Sequence, residues 1–186
     1  FEPGVRAADI ERIFGDVKQW LPDLITRAQA EQAGDQIIVP VGPFPVAAQR
    51  ALNTEVMTLL GFDFDAGRLD ESTHPFSGGV PEDVRLTTRY HEGDFTRSLL
   101  GTIHETGHAR YEQNLPRPWL TQPVGTARSY GIHESQSLAF EMQLARSRPF
   151  VGLLAPLLAR HFGDQPAFAP DNLYRLWTRV KRGYIR

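Results

Sequence analysis

His104-Glu105-Thr106-Gly107-His108 sets two imidazoles four residues apart, with a carboxylate beside the first. On a helix, residues i and i+4 lie one above the other, so both rings can reach one metal ion. Glu105 is turned by about 100° from His104 and can flank that ion without ligating it. Neutral imidazoles suit zinc and its first-row neighbours. Two protein ligands do not hold a catalytic metal; a third is required, with a fourth position open for water. Glu134, within Gly131-Ile132-His133-Glu134-Ser135 and 26 residues beyond His108, is the expected third ligand. His133 faces about 100° away from it on a helix, which favours the carboxylate. A metal in such a set brings the pKa of a bound water to about 7. Glu105 would take the proton and deliver it to the leaving amine. The chemistry is metal-assisted peptide hydrolysis with no covalent intermediate.

HExxH arises by chance in roughly 1% of chains of this length, so its surroundings matter. Gly107 costs about 1 kcal/mol against Ala inside a helix. A glycine there points to something approaching the backbone closely. The flanking apolar positions place the motif on a buried helix, where unpaired polar side chains are expensive.

These groups must be positioned by helices. Asp94 reads as an N-cap for a helix running to about Leu115, with Leu99, Leu100, Ile103, Tyr111 and Leu115 as apolar positions. A proline- and glycine-rich connection over 114–131 leads to a second helix from Gly131 to about Ser147. Residues 83–90 alternate, with Val84, Leu86, Thr88 and Tyr90 on one face and Asp83, Arg85, Thr87 and Arg89 on the other, which predicts a strand. Spacing of three and four predicts an amphipathic helix over 7–31, kinked or broken at Pro22. A further helix opens at Pro45 and stops at Gly61. Residues 32–36 read as a turn, Ile37–Val41 as a short extended run, and 62–72 as loop. Residues 149–162 predict a helix broken or kinked at Pro156. A last helix is expected from Asp171, as N-cap, to Gly183, burying Leu173, Leu176, Trp177 and Val180. The architecture is mainly α with a small β-sheet beside the site.

Composition narrows the functions. The 186 residues carry 20 Lys+Arg against 22 Asp+Glu, a net charge of −2, which argues against a nucleic-acid footprint. No run approaches the ~18 apolar residues of a membrane span. Cysteine is absent, which removes disulfides, thiolate metal sites and a cysteine nucleophile, and fits a reducing compartment. No signal-peptide pattern is found.

Other residues allow more than one role. Arg85 could grip a substrate carboxylate with its fork or pair with Asp83. His74, before Pro75, could orient a ligand or be structural. His133 could support a ligand from behind or touch substrate. Tyr90, Tyr111 and Tyr130 could donate to an oxyanion or sit in the core. His91 and His161 read as surface residues, and Trp20 and Trp177 as packing.

Several separated stretches resemble one family, the carboxypeptidase Taq family of metallocarboxypeptidases. They are His74-Pro75-Phe76, Asp83-Val84-Arg85-Leu86-Thr87, the HETGH at 104–108 and His133-Glu134-Ser135-Gln136, supported by FEPG at the start and GPFPVAAQRAL over 42–52. The resemblance implies a zinc- or cobalt-dependent carboxypeptidase with a zincin-like, largely helical fold. Such enzymes release single C-terminal residues with broad specificity, usually disfavouring proline, and are commonly cytoplasmic homodimers. His104, His108 and Glu134 carry over as ligands and Glu105 as general base. Ile185-Arg186 resembles the start of the family's IRxxAD motif, whose arginine would hold the substrate's C-terminal carboxylate. The resemblance implies that residues 1–186 are a single metallopeptidase core segment, similar to the middle portion of family chains of about 500 residues and so a fragment or shortened version of such a chain. Three alternatives follow: a zinc-binding segment without activity, an HExxH peptidase of different end specificity, and a structural helical domain without metal.

Overall fold

A computed structural model of the chain describes residues 2–183. The elements in chain order are α1 (Ala7–Gln32), α2 (Val46–Leu59), β1 (Gly67–Glu71), β2 (Phe76–Val80), β3 (Asp83–Thr88), α3 (Phe95–Gln113), α4 (Tyr130–Leu138), α5 (Arg148–Phe162) and α6 (Pro170–Thr178), with short 3₁₀ turns between them. It is a mainly helical fold with a three-stranded sheet of order β1-β3-β2. None of the helices among the described residues is long and apolar enough to cross a membrane.

Helix α3 is the axis. Asp94 caps it by accepting a hydrogen bond from the Thr96 N–H at 2.9 Å. One flank of α3 gives Phe95, Leu99 and Ile103 to a core shared with Leu52 and Val56 of α2, Leu154 and Leu158 of α5, and Leu173 and Trp177 of α6. Edge-on aromatic packing tightens it, with Phe44 and Phe95 ring centroids 4.9 Å apart. The other flank gives Ala109 to a smaller cluster with Met57, Phe62, Val84 and Leu86, against the sheet. Buried amides join α2 to α3: Gln49 accepts from the Ser98 hydroxyl at 2.7 Å, and Asn53 donates to Thr102 Oγ1 at 2.9 Å. Such pairing offsets part of the penalty of burying them.

Several elements depart from the expectations. Residues 62–72, read as loop, hold a 3₁₀ turn (Phe64–Ala66) and β1, because Gly67–Glu71 pairs in parallel with Val84–Thr88. Phe76–Val80 forms β2, antiparallel to β3, which itself ends at Thr88 rather than residue 90. The second helix starts at Tyr130 and becomes π-helical over Ala139–Leu144. Helices α1 and α5 run through Pro22 and Pro156 without a break. Ala169, not Asp171, is the N-cap of α6, with Pro170 in its first position, and the helix stops at Thr178 rather than Gly183. Beyond it, Gln32 of α1 binds the Thr178 carbonyl at 3.3 Å and the Val180 N–H at 2.9 Å, which holds the chain out of helix. Ile37–Val41 is extended without becoming a strand: the Asn172 and Gln165 side-chain amides each donate to and accept from its backbone, at 2.8–2.9 Å.

Candidate active site

The site lies where α4 crosses α3. Gly107 makes the crossing close: a Cβ there would stand 2.6 Å from Ser137 Cα and 2.7 Å from the Gln136 carbonyl oxygen. The close approach read from the sequence is that of the second helix itself. Ser129 sets the start of α4 by accepting from the Ile132 N–H at 2.9 Å. Glu134 then lies in its second turn, across from the two histidines.

Glu134 Oε2 lies 3.3 Å from His108 Nε2 and 3.9 Å from His104 Nε2. The ligand atoms of these three residues all fall within 4.8 Å of one another. The outer nitrogens are committed elsewhere. His104 Nδ1 lies 3.0 Å from Glu141 Oε2, a carboxylate that takes the N–H. His133 Nε2 lies 2.7 Å from Glu112 Oε1, and its Nδ1 lies 2.6 Å from His108 Nδ1. A neutral His133 donating to Glu112 must accept at Nδ1, so His108 donates there. Both rings therefore present the Nε2 lone pair to the space beside Glu134. Two neutral imidazoles and a carboxylate, with the Glu134 side chain 50% exposed on the open side, fit a first-row divalent ion.

Opposite environments move the two imidazoles apart. Burial opposes charge on His104, but the hydrogen bond to Glu141 and the surrounding carboxylates outweigh it and raise its pKa. Burial pushes His108 down to about 4, and any positive charge on the neighbouring His104 or His133 would push the same way. Glu105 is buried, and that burial lifts its carboxyl above the ordinary range; His104 and a hydrogen bond from Ser77 of β2 offset part of the rise. A carboxylate lifted toward neutrality suits a proton carrier. Glu105, His108 and Glu134 open onto a cleft of about 610 Å³ that Pro75, Phe76 and Ser77 also line. Arg128 and Tyr130 line it as well.

Residues 1–186 match the carboxypeptidase Taq (M32) metallopeptidase family. The chain belongs to this family. Thermostable carboxypeptidase 1 of Thermus thermophilus is 42% identical over 187 residues, covering all of this chain and 37% of its own. Carboxypeptidase 1 of Bacillus subtilis is 40% identical over 151 residues, covering 81% of this chain and 30% of its own. Among solved structures, Trypanosoma cruzi metallocarboxypeptidase 1 superposes with a TM-score of 0.95 at 52% identity, over 98% of this chain and 38% of that one. The chain thus spans 30–38% of the length of these relatives. M32 enzymes are metallopeptidases, which accords with the donor set of His104, His108 and Glu134.

The remaining M32-type motifs fall in different places. Arg85 is bound to Asp83 through hydrogen bonds of 2.7–3.1 Å on the exposed face of β3, and is not among the cleft's lining residues. His74 is exposed ahead of β2; its carbonyl accepts from Thr87 Oγ1 at 2.8 Å, while its neighbours Pro75 and Phe76 reach the cleft. His133 lines the cleft and also backs His108. Arg186 lies outside the described residues. Tyr111 sets its ring edge-on to His133 with centroids 5.1 Å apart, Tyr90 is core, and Tyr130 is exposed at the cleft. His161, read as a surface residue, is mostly covered and pairs with Glu55 at 2.8 Å. Trp177 packs in the core as expected, but Trp20 is 51% exposed.

The motifs did not disclose Ser77, Glu112 or Glu141. Glu112 lies four residues after His108 and Glu141 seven after Glu134, so helical spacing carried a signal for both. Ser77 came within reach only through β2, which was not foreseen.

Proposed function

We propose that this protein hydrolyses the C-terminal peptide bond of peptide substrates as a metal-dependent carboxypeptidase of broad specificity. The observation that carries the reading is the convergence of His104, His108 and Glu134 beside a buried Glu105 at the edge of an open cleft. A divalent ion held there, zinc in our reading with cobalt as the alternative, supplies Lewis-acid polarisation and acidifies a water. Glu105 takes a proton from that water and returns it to the departing amine. Its burial raises the carboxyl's pKa, and its Ser77 hydrogen bond holds it in place. The apolar surfaces of Pro75 and Phe76 give a peptide side chain a wall to lie against. A cytoplasmic homodimer acting on free peptides, with neither nucleic acid nor membrane as partner, completes the reading.

The test offers the same peptides with free and amidated C-termini and measures the residues released. Release from free termini with amidated ones spared supports the reading. Equal cleavage of both points to a different end specificity. A second reading is a metal-binding segment without turnover. It predicts stoichiometric metal and no hydrolysis of any peptide.

A further inference from the structure

Glu141 is fully buried, charged, and used by no motif. A carboxylate in that position is costly unless both of its oxygens are satisfied. Oε1 accepts from Arg146 Nη2 at 2.9 Å. Oε2 lies 3.0 Å from His104 Nδ1. Arg146 is anchored in turn by donating through Nη1 to the Trp177 carbonyl at 3.0 Å. A chain of polar contacts therefore runs from the end of α6, through Arg146 and Glu141, to the imidazole whose other nitrogen faces Glu134.

The placement comes from the helix. Glu134 and Glu141 are seven residues apart on one continuous helical stretch, so they project toward α3 from the same side. Between them and Arg146 the stretch is π-helical, closed by an Ala145 N–H to Phe140 carbonyl bond of 2.8 Å. Such widened turns recur at functional sites because they re-aim the residues that follow. Here the widened turn carries Glu141, and Arg146 follows two residues beyond its end.

We propose that Glu141 is the positioning residue of the metal centre: it holds His104 as the Nδ1–H tautomer, with its Nε2 lone pair aimed at the metal position. Arg146, itself anchored on the Trp177 carbonyl, holds Glu141 in place. The proposal rests on the metal reading given above and adds to it a residue that touches neither metal nor substrate. A structural ion pair between Glu141 and Arg146 that merely adjoins the ring would leave metal affinity unchanged when the carboxylate is neutralised.

The experiment uses the protein at its natural length. Zinc and cobalt affinities are measured by chelator competition for wild type and Glu141→Gln, along with the visible spectrum of the cobalt form. We expect one metal per chain in both, with Glu141→Gln binding about 10–100-fold more weakly and an altered cobalt spectrum. Because Glu141→Gln leaves Arg146 without its anion, the double variant Glu141→Gln/Arg146→Leu is measured beside it and should show the same loss. Wild-type affinity in either folded variant overturns the proposal. The ring's tautomer in metal-free wild type, read at alkaline pH by long-range ¹H–¹⁵N NMR, needs no variant: Nδ1–H is expected, and Nε2–H overturns the proposal. A wild type that binds no metal at all would sink the metal reading itself, which separates the two failures.

Discussion

Helix α3 buries eleven of its 19 residues, whereas α1, with 26, buries none among the described residues. Both sequences show apolar residues at helical spacing. In α3 that face is covered on two flanks, and the polar face left over becomes the site. In α1, Phe14 is 58% exposed and Ile13, Trp20 and Leu24 stand out beside it. Periodicity identifies which side of a helix is apolar; it does not say what covers that side. The site residues are held by the covered helix, so damage there should be large and damage to α1 small.

The greatest effect is expected from Gly107→Ala. Alanine raises intrinsic helix propensity, so any loss comes from the Cβ striking the backbone of α4. Overpacking of this kind costs about 1–3 kcal/mol and moves Glu134 away from the histidines. Thermal unfolding and metal stoichiometry should both fall; unchanged or raised stability would mean that the crossing is looser than described.

His133→Ala comes next. It removes the acceptor for His108 Nδ1 and leaves Glu112 without its partner. Metal affinity should fall by about tenfold, at the lower end of the range for residues that orient a ligand, with the fold intact by circular dichroism. Unchanged affinity would show that His108 needs no such support.

Ser77→Ala has a smaller effect, visible in pH dependence. Ser77 stabilises the ionised form of Glu105, whose pKa burial has already raised. The base works ionised, so activity is present above that pKa and is lost as pH falls through it. Without Ser77 the acidic limb of kcat/KM should move to higher pH. A limb that stays put or moves down contradicts the role given to Ser77.

Phe14→Gln should do least. The stability of the 186-residue chain should change by no more than about 0.5 kcal/mol, as for other exposed positions, with metal binding untouched. A loss above about 1 kcal/mol would show that α1 is covered and would erase the contrast with α3.

The contrast also explains what could be read in advance. The helix from Asp94, the strand from Asp83 and the role of Gly107 follow from local spacing and capping; Glu134, preferred to His133 on the same ground, lies beside the two histidines. The strands β1 and β2 were missed because GRLDE and FSGGV have weak strand character of their own and are held by pairing with β3. The π-helical turn was missed because its residues, AFEMQL, read as ordinary helix. With it went Glu141, whose spacing from Glu134 was visible but whose target was not. The end of α6 escaped because Gln32, nearly 150 residues away in sequence, takes up the backbone groups that would have continued the helix.

The most direct test of the account is Glu105→Gln, with bound metal and peptide hydrolysis measured on the same preparation. Gln keeps the shape of the side chain, cannot carry the proton, and alters none of the three donors. The account predicts one divalent metal per chain, as in wild type, and no measurable hydrolysis. Hydrolysis at the wild-type rate, or a wild-type chain that retains no metal, would contradict it.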